Sequence, residues 1–194
     1  MDGMRRKLAV MLCGGVRAGY RALKGIVMNA DTYYQIPGFK LEGSDTLRLS
    51  FTPRAACNVA GCFTSASAQN NYSVYVSADN GAKYMRYAGG TYYSGVALNL
   101  RHDVVVTPTG SFGFARNGTW EEKTFVGSSD FCIGTTSPSV TSLKFEGIMH
   151  GAVIVDQRAR FVPCERLSDH AIGYYETKTG VFFAPEMGSP TEET

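Results

Sequence analysis

The sequence predicts an all-β protein, a sandwich or barrel of short antiparallel strands. Three observations carry this. Where apolar residues are patterned they alternate with period two, as on a pleated strand, and no long segment follows the 3.6-residue period of a helix. Turn signals built on Gly, Pro, Asn and Asp recur roughly every 8–12 residues. The composition holds 22 Gly, 11 Tyr and 11 Phe, a bias towards strands and tight turns. The 194 residues make one domain with short appendages, long enough to bury a core unaided. No repeat of 20–50 residues is present.

In chain order, residues 1–19 read as a basic arm. Arg5, Arg6 and Lys7 precede an apolar run of Leu8 to Leu12. That run is shorter than the roughly 7–15 residues a secretory signal needs, so the arm is expected to stay uncleaved. Gly14-Gly15 stops any helix there. The sandwich is expected over residues 20–187. Tyr20 to Met28 predicts a first short strand and Asp31 to Phe39 a second, ended by Pro37-Gly38. Thr46 to Phe51 alternates cleanly, with Leu47, Leu49 and Phe51 on one face. Cys57 to Phe63 is a short apolar strand. Tyr72 to Ser77 and Ala82 to Tyr87 flank the turn Asp79-Asn80-Gly81. Val96 to Thr107 ends at Pro108, and Asn117-Gly118 joins Ser111–Arg116 to Thr119–Val126 as a type I′ hairpin. Phe131 to Gly134 and Leu143 to Met149 follow.

The closing stretch, Gly151 to Phe183, reads as two hairpins in series. Ala152 to Val155 turns at Asp156-Gln157 and returns over Ala159 to Val162. Pro163, with no N–H for a ladder, is expected to end that strand. Ile172 to Tyr175 and Val181 to Phe183 flank the loop Glu176 to Gly180. Ile154, Phe161, Ile172 and Phe182 are the candidate core residues. Residues 188–194 are polar and acidic and are expected to be disordered.

Charge and cysteine usage exclude more than they identify. A net charge of +2 with no long basic run argues against nucleic-acid binding. No stretch approaches the roughly 20 apolar residues of a membrane span. Cysteines at 13, 57, 62, 132 and 164 are odd in number, against a complete disulfide framework. Cys57 and Cys62 either face each other across a short loop or are small buried thiols.

Three pieces together resemble a known family: Gly19-Tyr20-x-x-Leu23 with Tyr33-Tyr34-Gln35-Ile36; His102-Asp-Val-Val-Val; and Arg160-Phe-Val-Pro-Cys164 with Ile172-Gly-Tyr-Tyr175 and Gly180-Val-Phe182. The chain resembles the concanavalin A-like, laminin-G-like jelly-roll domains of phages, prophages and gut bacteria, over roughly residues 19 to 184. The basic Met4-Arg5-Arg6-Lys7 start also matches that group. Lys24-Gly-Ile-Val stands where the family has an acidic-aromatic-Ile run, and Pro37 interrupts the second strand. The resemblance implies a jelly-roll sandwich of two antiparallel sheets used for display or binding on a virion surface, with no generic catalytic site.

The residues support no catalytic centre of their own. Glycosidases on such sandwiches need two carboxylates facing one cleft. Glu121 and Glu122 are adjacent and so point to opposite faces, and Asp156, Glu165, Asp169 and Glu176 are spread over turns. His102, His150 and His170 are scattered and are read as surface or sheet-edge groups. Calcium would need clustered oxygens, and Asp79-Asn80 is explained as a turn. No cofactor or metal is expected. Counting strands up and down places Tyr92, Tyr93, Asn117 and Trp120 at one end of the sandwich. That rim is the candidate ligand or partner surface, for a glycan or host surface. The expectation is a non-enzymatic virion structural protein (capsid decoration, fibre or tail), joined to other virion proteins through its arm and homo-oligomeric. The alternative is an exported carbohydrate-binding module.

Overall fold

The computed structural model describes residues 17–42, 44–62, 72–76, 86–87, 90–91, 97–106, 129–137 and 144–194. Among them there is no helix. The strands are β1 (Tyr20–Ala22), β2 (Gly25–Met28), β3 (Tyr34–Ile36), β4 (Leu47–Pro53), β5 (Cys57–Cys62), β6 (Tyr72–Val76), β7 (Arg86–Tyr87), β8 (Gly90–Thr91), β9 (His102–Val106), β10 (Phe131–Ile133), β11 (Gly147–Val155), β12 (Ala159–Arg166), β13 (Ala171–Glu176), β14 (Phe182–Phe183) and β15 (Thr191–Glu192). The ladders form two antiparallel sheets, one of nine strands and one of four (β3-β10-β5-β6), with β7 and β8 as a separate pair. The fold is a β-sandwich: one core joins Leu47, Leu49, Phe51, Val153, Val155 and Phe161 of the large sheet to Ile36, Val59, Val74, Phe131 and Ile133 of the small one.

The alternation of β4 holds as read. Leu47, Leu49 and Phe51 are buried and Arg48 is exposed. Phe51 meets Phe145 edge-on, with ring centroids 6.1 Å apart. In the closing hairpins the turn also holds: β11 reverses through 156–158, where Asp156 takes φ 41°. Asp is among the few non-glycine residues that tolerate such a φ, and its carboxylate accepts the Thr46 amide at 2.6 Å. Of the four candidate core residues, Phe161 is fully buried. Ile172 is half-buried against the core. Phe182 does not face it: its half-buried ring stacks on Tyr20 under Arg166, and its neighbour Phe183 takes the core side. Ile154 pairs with Arg160 while Val153 pairs with Phe161, so Val153 and Val155 face inward and Ile154 outward.

Pro163 does not end its strand. The carbonyl and nitrogen of one strand residue point to the same side, and those of Pro163 face β1. Its carbonyl accepts from the Leu23 amide at 2.9 Å. The missing N–H falls where β1 has ended, so no ladder bond is lost. The reason lies in a fork. β11 and β12 pair only near their turn, from Val153↔Phe161 to Val155↔Ala159, and then part. The chain from Tyr20 to Met28 runs into the gap, with β1 along β12 and β2 along β11. Leu23-Lys24 sits at the crotch, where the Lys24 carbonyl accepts from Gly151 at 2.6 Å. Gly151, at φ 58°, lies within the bulge of β11.

Residues 188–194, expected to be disordered, instead close the edge of the large sheet. Thr191 and Glu192 pair with Val27 and Ile26. A polar sequence gives no local signal of this, because the contacts that hold it are long-range.

Candidate functional site

Tyr92, Tyr93, Asn117 and Trp120 lie outside the described residues, as do the Asp79-Asn80 turn and residues 1–16 of the arm. The described residues form a different candidate, a cleft of about 490 Å³ on the open edge of the sandwich. It opens between β3, an edge of the small sheet, and β14, an edge of the large one. Two edges that do not pair leave a gap that side chains must fill.

Phe161, Phe183 and Ile36 line the cleft. Phe161 packs against Phe39, Phe131 and Phe183 at centroid distances of 5.7, 5.8 and 6.1 Å. The Pro37-Gly38 turn ends β3 and carries Phe39 onto this cluster. Gly38 adopts φ 74°, open to glycine without strain, and Phe39 O accepts the Phe131 amide at 2.7 Å.

Arg158, from the β11–β12 turn, makes one lip. Its guanidinium carbon lies 5.0 Å from the centre of the Phe39 ring. It pairs with buried Asp45 and, at 3.2 Å, with Glu42, and donates to the Lys40 carbonyl. The loop 40–45 is thereby tied to the hairpin. Beside it, joined through Arg160, stands the loop after β13, organised by Glu176. Its carboxylate accepts the Thr179 amide and hydroxyl at 2.6 and 2.7 Å, the Lys178 amide at 3.0 Å and the Arg160 amide at 3.3 Å. Burial alone would push this acid up. The hydrogen bonds outweigh burial and hold it below the usual carboxylate range. Val181, 45% exposed, also lines the cleft.

The two charged groups lining the cleft, Arg158 and Glu176, are thus spent on internal bonds. The cleft offers aromatic and aliphatic surface with neutralised charge. Its size lies within the range of ligand clefts, and its chemistry suits an apolar guest whose entry removes Phe39, Phe183 and Val181 from water.

The histidines divide. His170 is exposed and hydrogen-bonded to Glu165 at 2.6 Å. His102 is half-buried, with Nε2 2.8 Å from the Ala97 carbonyl oxygen. His150, read as a surface or edge residue, is instead buried. Its Nδ1 lies 2.9 Å from Glu193 Oε1, and Nε2 lies 2.8 Å from Thr52 Oγ1. A carboxylate only accepts, so Nδ1 carries a proton. In the neutral imidazole the Thr52 hydroxyl then donates to Nε2. The connectivity is that of a nucleophile, base and acid. Thr52 and His150, however, both lie within the β4–β11 ladder, whose amides are committed to strand pairing rather than to an oxyanion. The arrangement fastens Glu193 to the sheet.

The cysteines are settled by β5. Cys57 and Cys62 lie on one strand with no loop between them, roughly 16 Å apart at strand rise, too far to bridge. Cys57, Cys62, Cys132 and Cys164 are buried free thiols, each pushed up to about 12 by burial.

Sequence reasoning missed Phe39, Arg158, Glu176 and His150. Glu176 alone had a local signal: an acid two and three residues before the amides of a Gly-closed loop caps that loop. No family model matches the chain, and no curated protein matches it.

Proposed function

We propose that this chain is a non-enzymatic binding module of jelly-roll connectivity on the exterior of a phage particle, and that its edge cleft seats an apolar side chain of a neighbouring protein. One observation carries the binding role: the cleft of about 490 Å³ presents Phe39, Phe183 and Val181 above the buried Phe161 ring while its charged lining is already paired. A sugar needs hydrogen-bonding partners for its hydroxyls, so the same observation favours a protein guest over a glycan. The phage setting rests on the resemblance carried by Arg160–Cys164 and Ile172–Tyr175.

The test is titration of the ¹⁵N-labelled protein with N-acetyl-leucinamide, N-acetyl-phenylalaninamide and a panel of simple sugars. The amino-acid amides are expected to move the Phe39, Thr179 and Val181 signals, and Val181→Asp to suppress the movement. Shifts at those amides from sugars alone would replace this reading with the exported carbohydrate-binding module. Proteomics of purified particles tests the setting, with the chain expected at structural copy number.

A further inference from the structure

The edge of β2 carries a second, separate binding arrangement, now filled by residues 191–193. Its parts recognise an extended acidic peptide. The backbone of β2 supplies the ladder: Thr191 pairs with Val27, Glu192 with Ile26, and the Glu193 amide donates to Gly25 O at 3.2 Å. Arg21 supplies a fork. Its Nη1 and Nη2 meet the two oxygens of Glu192 at 2.9 and 2.7 Å, while Nε is held at 2.7 Å by Glu165. Glu165 is itself held by His170 at 2.6 Å, so the fork is set from behind, which suits bidentate carboxylate capture. His150 supplies a buried donor to Glu193. Gly25 supplies room: a Cβ there would collide with the Glu193 carboxylate and approach Met149 O to 2.6 Å.

The resident segment is held lightly for so specific a fit. The ladder is two residue pairs long, and Arg21 is half-exposed, so its ion pair is screened by solvent. Short edge strands open at low free-energy cost. The segment leaves the core at Gly188, packed on Thr32 with φ 80°, followed by Ser189-Pro190. From there Glu192 stands four residues on, a span of at most roughly 14 Å, so exchange needs a molecule lying directly against this edge.

We propose that this groove is an exchangeable peptide site, and that its occupant in an assembly is residues 188–194 of a second copy of the chain. The same segment makes the same contacts in either molecule, so exchange sacrifices none of them, and an added strand is a common mode of protein joining.

Charge reversal tests it. Arg21→Glu sets its carboxylate against Glu192 across the groove and against Glu165 behind it, and Glu192→Arg sets two guanidinium groups against each other. Each variant alone is expected to sediment at one chain mass with its segment released. Mixed one to one, both mismatches are relieved only by reciprocal exchange, so the sedimenting mass should double and return towards one chain at 0.5 M salt. Monomers in the mixture, with both variants folded by circular dichroism, overturn the proposal. Should a variant not fold, the native protein is titrated with acetyl-GSPTEET-amide against acetyl-GSPTRRT-amide. Shifts at Ile26, Val27 and His150 from the acidic peptide alone, at millimolar concentration against the tethered competitor, support it, and none overturns it. The site is remote from the cleft, so either reading can fail without the other.

Discussion

Replacing Phe161 by Ala should cost about 3–5 kcal/mol. The ring is fully buried between the sheets and touches three other aromatic rings. Removing it forgoes the burial of roughly 150 Å² of apolar surface on folding, about 4 kcal/mol at 25 cal/mol per Å². That is an upper value, because the unfolded chain also shields some surface. The lost edge and tilted ring contacts work against that discount. In the other direction, the void opens into the cleft that Phe161 already lines, so water enters and part of the cavity cost disappears. Phe161→Leu, which keeps most of the volume, should cost about 1–2 kcal/mol. Urea unfolding followed by circular dichroism measures both, with the midpoint moving and the slope unchanged. A loss under about 1 kcal/mol for the Ala variant would refute the packing. It would mean that the Val153↔Phe161 register is displaced by one residue, which sends the ring to the outer face.

Other outcomes follow from named contacts. Glu176→Gln should cost about 2 kcal/mol, since buried bonds to a charged acceptor are worth roughly 1.5–3 kcal/mol. The wild-type carboxylate is depressed in the folded state. Its stabilisation is therefore present above the unfolded carboxylate value and is lost as pH falls through the lower folded one. Acid unfolding of the Gln variant should show a correspondingly shallower loss below about pH 4.5. Gly173→Ala should reduce thermal stability and loosen the β13–β14 hairpin, because a Cβ there meets Phe183 O and comes within 2.7 Å of the Phe182 ring; an unchanged melting temperature would contradict that placement. In the native protein at pH 8, Ellman's reagent should titrate at most one thiol, because Cys57, Cys62, Cys132 and Cys164 are buried, and denaturant should release the rest.

Local patterns determined what local forces hold. The alternation of Leu47, Leu49 and Phe51 required a half-buried strand, because each side chain's face follows from its own pleat. The Glu176–Gly180 loop marked its turn through short-range hydrogen bonds, and Asp156 marked its own as a residue type that tolerates a positive φ. From these the all-β class and the closing hairpins were legible in the sequence. The rest depended on partners far along the chain. Pro163 lies within a strand because Tyr20 to Met28 fills the fork beside it, which nothing near Pro163 announces. Residues 191 and 192 form a strand because Arg21 and the edge of β2 wait for them, and His150 is buried because Glu193 arrives over Gly25. The cleft exists only where β3 and β14 meet as unpaired edges, and Phe39 and Arg158 reach it through turns whose directions no periodicity encodes. Alternation states which face a residue takes. Only long-range packing decides which surface that face meets.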